Sequence, residues 1–135
     1  MYRRVCSIIN GDIPSYKVYE DDDFLAFLDI SQAELGHTLV IPKKHFDNFL
    51  EMDDKTAKEL IVLVKKIANS VKLATNAKGI NILNNNGLAA GQSVNHIHFH
   101  IIPRYDNDDL IMKFTEHKLQ NDEFISLQEK IKKGI

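Results

Sequence analysis

The sequence predicts an α+β domain: an antiparallel sheet of about five strands, one long central helix and short terminal helices. Short runs rich in β-branched and aromatic residues recur, each bounded by turn-forming residues. One long segment in the middle places apolar residues at three- and four-residue spacing. The 135 residues suit one domain, taken over 1–135, able to bury a core without covalent staples.

Taken in order, Ser7 to Gly11 reads as a short helix closing at Gly11, with Pro14 preventing its continuation. Lys17 to Glu20 and Phe24 to Ile30 read as strands around the turn Asp21-Asp22-Asp23, and Thr38 to Ile41 as a third strand stopped at Pro42. Asp53 and Asp54 are both good N-caps for the central helix, in which Leu60, Ile61, Val64, Ile67, Ala68 and Val71 make one apolar face. Gly79 to Leu83 is a fourth strand, Asn95 to Arg104 a fifth, and residues 122 to 133 a terminal helix. Short turn-joined strands favour antiparallel pairing, with the helices expected on one face of the sheet.

Composition narrows the function classes. The chain is 44% hydrophobic and 27% charged, an ordinary globular balance, with a formal net charge of -2. No global positive field exists to hold nucleic acid, so any anionic ligand must find its positive environment locally. Apolar runs are only a few residues long, far short of a membrane span, and no export signal follows the opening residues. Cys6 is the single cysteine, which fits a reducing compartment, and the cytoplasm is the expected location.

The most informative segment is His96-Ile97-His98-Phe99-His100-Ile101-Ile102, which holds three of the six histidines. On a strand, alternate side chains point to opposite faces, so the three imidazoles share one face, about 7 Å apart. Ile97, Phe99 and Ile101 then face the core. An ordinary solvated strand face would mix in Thr, Lys or Glu. Two chemistries use such a row: metal ligation, and phosphate chemistry in which imidazoles act as nucleophile, acid and charge stabiliser. No Asp or Glu occurs between Glu59 and Asp106, which suits a phosphate anion better than a hydrolytic metal centre. Just before the strand, Leu88 to Ser93 combines small residues with hydroxyl and amide donors. Successive N–H groups near Gly91 can there form an anion-binding nest.

Positions 96 to 102 fill the histidine triad (HIT) signature, His-φ-His-φ-His-φ-φ with φ apolar. Further matching stretches are 8–14 (Ile-Ile-Asn-Gly-Asp-Ile-Pro), Phe27 to Ile30, Gly36 to Lys43, Asn84 to Gly87 and Gly91 to Val94. With these the chain resembles the HIT superfamily, and most the bacterial Hit-like proteins of its Hint branch. The resemblance implies a HIT-like fold that pairs into a homodimer with a continuous sheet. It also implies metal-independent hydrolysis of purine nucleoside monophosphate derivatives (AMP or GMP phosphoramidates and related adenylates) through a nucleotidyl-histidine. By motif position His98 would be the nucleophile and His100 would hold phosphate oxygens, while His96 and His37 orient and tune His98. Asn85, Gly91, Gln92 and Ser93 would contact phosphate, with Ser93 near the leaving group. Asp29 would bind ribose, and Ile30 would pack on the base.

Departures from the family pattern matter as much. Many bacterial relatives hold a structural zinc with Cys-x-x-Cys and two histidines. Here Arg3 stands at the first position, and Cys6, His45 and His96 remain. Four protein ligands normally close such a site, so no metal or other cofactor is expected. The chain has no tryptophan, and Tyr105 to Leu119 replaces the Trp-containing tail of the eukaryotic Hint type. Ile101-Ile102-Pro103-Arg104 resembles the dinucleoside polyphosphate hydrolase branch, an alternative substrate class. A nucleotide-binding regulator with weak catalysis is the alternative from outside enzymology.

Overall fold

The structure is a computed structural model describing residues 2–135, with the side chains of Tyr2 and Arg3 outside the description. The elements run α1 (Tyr2–Ile9), β1 (Lys17–Glu20), β2 (Phe24–Leu28), β3 (Thr38–Pro42), α2 (Asp54–Thr75), β4 (Gly79–Leu83), β5 (Phe99–Arg104) and α3 (Asn121–Lys132). Short 3₁₀ turns lie at Phe49–Glu51 and Leu88–Ala90. All strand pairs are antiparallel, in the order β1-β2-β3-β5-β4. The α+β class with a five-stranded antiparallel sheet and one long central helix is therefore as the sequence predicts.

Alternation along β2 shows how the sheet divides the molecule. Phe24 and Ala26 join Val40, Phe99 and Ile101 on one face, against Leu60, Val64 and Ile67 of α2. Leu25 and Phe27 point the other way and join Ile41, where Val5, Ile8 and Ile9 of α1 cover them. The helices thus lie on both faces of the sheet, not on one as expected. The reason is local: β2 is apolar at every position, so both of its faces need cover. α1 also starts earlier than Ser7 and ends at Ile9, ahead of Gly11, whose φ of +80° suits glycine.

α2 is bounded as its sequence suggests. The Asp53 carboxylate accepts from the Thr56 N–H, and Asn76 closes the helix in the left-handed conformation. Its buried face is Leu60, Leu63, Val64, Ile67 and Ala68. Ile61, expected in that face, is about half exposed instead. The stripe at 60, 63, 64, 67 and 68 is centred on Leu60 and Val64, which leaves Ile61 roughly 100° off it.

The histidine segment departs most from expectation. β5 begins at Phe99, not Asn95, because the Ile97 N–H donates to the Phe46 carbonyl and draws residues 96–98 off the ladder. Ile97, Phe99 and Ile101 still enter the core against α2. Alternation therefore survives for the three residues 96–98 beyond the strand. Ile101 is fully buried, so Ile101→Ala should cost about 2–5 kcal/mol, against under about 0.5 kcal/mol for Val62→Ala on the exposed side of α2. Urea denaturation of both variants checks this; equal losses would place the core elsewhere.

Candidate functional site

Burying Ile97, Phe99 and Ile101 turns His96, His98 and His100 towards the face covered by α1. There they line a cavity of about 350 Å³ together with Asp29, Ile30, Ser93 and the apolar side chains of α1, β2 and β3. That volume suits a small-molecule ligand. The His98 and His100 rings meet edge to face with centroids 4.9 Å apart, and His37 lies 5.1 Å beyond His100.

Backbone groups set the proton on His37, His96 and His98, and His37 sets it on His100. The His98 Nδ1–H donates to the His96 carbonyl at 2.8 Å, so neutral His98 carries its lone pair on Nε2. The His96 Nε2–H donates to the Pro42 carbonyl at 2.8 Å. The Ala33 N–H donates to His37 Nδ1 at 3.1 Å, which leaves the His37 proton on Nε2 to be donated to His100 Nδ1 at 2.9 Å. Neutral His100 is then protonated on Nε2. The result is one ring with an open lone pair beside another offering an N–H, the pair needed to attack a phosphorus atom and hold its oxygens.

Burial favours the neutral rings that this proton map requires. Burial, reinforced by His98 and His37, pushes His100 down to about 4. Burial lowers His37 as well, outweighing Asp29, and burial lowers His96, outweighing the Pro42 carbonyl. The 3.7 Å approach of the Asp29 carboxylate to His37 Nε2 is thus a charge–dipole contact and not an ion pair.

Other elements hold this arrangement. The Asn84 side chain donates to the His98 carbonyl at 3.0 Å and accepts from Asn86 at 2.7 Å. The Gln32 amide donates to the carbonyls of Asp29 and His37 and accepts from the Gly36 N–H, cinching the loop that carries Asp29. Neither Asn84 nor Gln32 was identified from the sequence. The run Asn84-Asn85-Asn86 was the available signal for the first; the second had none.

The loop before the triad is built differently from the expected nest. The Gly91 and Gln92 N–H groups are already spent on the Leu88 and Gly87 carbonyls. Gln92 is buried, and its side chain bonds Gly87 N–H, Asp47 carbonyl and Val94 carbonyl. It pins the loop, and Asn85 packs against Gly91. Ser93 and Val94 are the loop residues that line the cavity. Ile30 is exposed at the rim, where an apolar side chain can close on a ligand.

Two histidine clusters invite a metal reading, and neither fits. At the zinc-type positions, His45 Nδ1 meets His96 Nδ1 at 3.2 Å, and His45 Nε2 lies 2.8 Å from the Asp47 carboxylate. Among the described residues Cys6 does not join them in a three-ligand group, and the Arg3 side chain lies outside the description. Among the described residues two donors converge there, where a structural zinc is normally closed by four. Asp29, His37 and His100 do bring three donor atoms within 4.8 Å. However, the Ala33 N–H on His37 Nδ1 keeps the proton on Nε2, the atom that would have to ligate. Arg104, the last residue of the Ile101-Ile102-Pro103-Arg104 stretch, is held in a fork by Asp108 and bonds Asn81 and the Leu110 carbonyl. It serves the fold and does not line the cavity.

Comparison with known proteins agrees with the geometry. The family model described as "HIT domain" matches residues 10–107. The chain is 58% identical over 104 residues to Protein hit of Bacillus subtilis, covering 77% of this chain and 72% of that one. It is 37% identical over 131 residues to an adenosine 5'-monophosphoramidase of Schizosaccharomyces pombe, covering 96% of each. A crystal structure of a member of the HIT family of proteins from Bacillus subtilis superposes with a TM-score of 0.91 at 47% identity, over 96% of this chain and 94% of that one.

The depressed His100 titration predicts acid sensitivity with a definite sign. Above the unfolded-state value of about 6.5 neither state holds the proton, and stability is complete. Between there and about 4 only the unfolded chain binds it, so stability falls as pH falls through that window. Thermal melts at about pH 7 and about pH 5 should show a smaller drop for His100→Asn than for wild type. Equal drops would contradict the assignment.

Proposed function

The chain belongs to the HIT domain family, and from that membership and the poised His98 imidazole we propose that it hydrolyses purine nucleoside monophosphate derivatives, phosphoramidates and related nucleotidylates among them. The observation that carries this reading is the His98 Nδ1–H bond to the His96 carbonyl, which leaves Nε2 as a nucleophilic lone pair facing the cavity. A relative named for adenosine monophosphoramidase activity supports the substrate class.

Two displacements complete the reaction. His98 Nε2 attacks the α-phosphorus; the bond from phosphorus to the leaving nitrogen breaks, and the departing amine takes up a proton. Ser93, which lines the cavity, would meet the leaving group. Water then attacks the nucleotidyl-histidine, the P–Nε2 bond breaks, the water's proton is released, and His98 is regenerated as the neutral ring. The His100 Nε2–H meets the charge on the non-bridging oxygens, where phosphoryl transfer needs it most. His37 keeps His100 in that tautomer, and His96 positions His98 through its carbonyl. Asp29 and Ile30, which line the same cavity, would receive the ribose and the base. No metal enters these steps.

The site is proposed to work in a cytoplasmic homodimer. The lone Cys6 supports a reducing compartment. The free edge of β4, with exposed Ile82 on it, supports pairing between copies into a continuous sheet. No helix among the described residues is long and apolar enough to cross a membrane.

Turnover of an adenosine phosphoramidate bearing a fluorogenic amine, assayed with a chelator present, tests the proposal. Wild type should turn it over, and His98→Ala should lose activity on the order of 10⁴-fold or more, the scale seen when a nucleophile is removed. A variant within tenfold of wild type, or activity abolished by the chelator, would sink it.

A further inference from the structure

Among the polar side chains of the cavity that the nucleotide reading leaves unused, two stand out. Away from the histidines the cavity is walled by apolar residues, Val5, Ile8, Ile13, Phe27 and Leu39. Val5 and Ile8 are anchored there by packing on Leu25, Phe27 and Ile41. Arg4 lies one helical turn before Ile8, so its side chain leaves α1 on the face that Ile8 turns to the cavity. It is the only Lys or Arg among the described residues lining that cavity. The second is Ser15. Its Oγ is the single buried side-chain N or O atom without a hydrogen-bond partner among the described residues, and Ser15 lines the same cavity. A buried unpaired hydroxyl lowers stability unless a ligand group meets it.

We propose that Arg4 and Ser15 read the edge of the base, and that the preferred substrates are 6-oxopurine nucleotides, guanosine derivatives over adenosine ones. The inference rests on the nucleotide reading above and deepens it. A guanidinium carries donors only. Guanine presents two adjacent acceptors, O6 and N7, that match its fork. Adenine presents N7 beside an amino group, whose hydrogens oppose the second donor. The Ser15 hydroxyl can donate or accept, so it serves either base and adds affinity without choosing. An apolar cavity alone grips both purines about equally. The discrimination therefore falls to Arg4.

The test compares kcat/KM for guanosine and adenosine phosphoramidates in wild type, Arg4→Ile, Arg4→Lys and Ser15→Ala. Wild type should favour guanosine about tenfold or more, the scale of one bidentate base contact. Arg4→Ile should bring the ratio near one through a higher KM for the guanosine substrate, and Arg4→Lys should keep part of the preference. Ser15→Ala should weaken both substrates alike while raising the melting temperature, because it removes an unpaired buried group. A ratio near one in wild type, a preference that survives Arg4→Ile, or an equal loss on both substrates in that variant would overturn the assignment of Arg4. Unchanged binding in Ser15→Ala would overturn that of Ser15. If neither substrate turns over, the hydrolase reading fails separately. Calorimetric titration with GMP and AMP then decides base reading alone: tighter GMP binding lost in Arg4→Ile supports it, and equal binding overturns it.

Discussion

The burial of Ile97, Phe99 and Ile101 against α2 governs the arrangement of the whole site. Each of these side chains is more than nine-tenths buried, and together they lock the sense of alternation along the segment. A one-residue slip would exchange three apolar side chains for three imidazoles in the core. The histidines are accordingly held on the α1 face by hydrophobic burial on the other side of the sheet. This explains why residues 96–98 can leave the regular ladder without losing their orientation. The placement of the imidazoles here is a by-product of packing.

Backbone carbonyls and one backbone amide then decide which nitrogen of each ring is reactive. His96, Pro42 and Ala33 act through main-chain atoms, so the proton map depends on chain path more than on side-chain identity. Low polarity around His37, His96 and His100 keeps those rings neutral, which the map requires. The same burial that predicts acid sensitivity therefore favours the neutral rings the proposed chemistry needs. A charged His100 would lose the Nδ1 lone pair that receives the His37 proton, and the cluster would separate.

Much of this was legible in the sequence because it rests on short-range pattern. Strands β1 and β4 and the Asp53 cap follow from turn residues and β-branched runs, and the triad face follows from two-residue periodicity. What escaped were features fixed by contacts distant in sequence. Nothing local shows that the Phe46 carbonyl takes the Ile97 N–H and delays β5, or that α1 covers the sheet face opposite α2. Motif position assigned Gln92 to phosphate, whereas the fold gives its amide to three backbone groups. Asn84, not its neighbour Asn85, braces His98, a choice that depends on which way a loop residue turns. Arg4 and Ser15 carry no motif and become visible only once the cavity is assembled.

In the proposed reaction His98 Nε2 bonds to phosphorus before water does. The stereochemical course at phosphorus tests it most directly, using a substrate made chiral at that atom with oxygen isotopes and sulfur. Two in-line displacements predict net retention of configuration. Net inversion would mean that water attacks the substrate directly and that His98 serves only as a base.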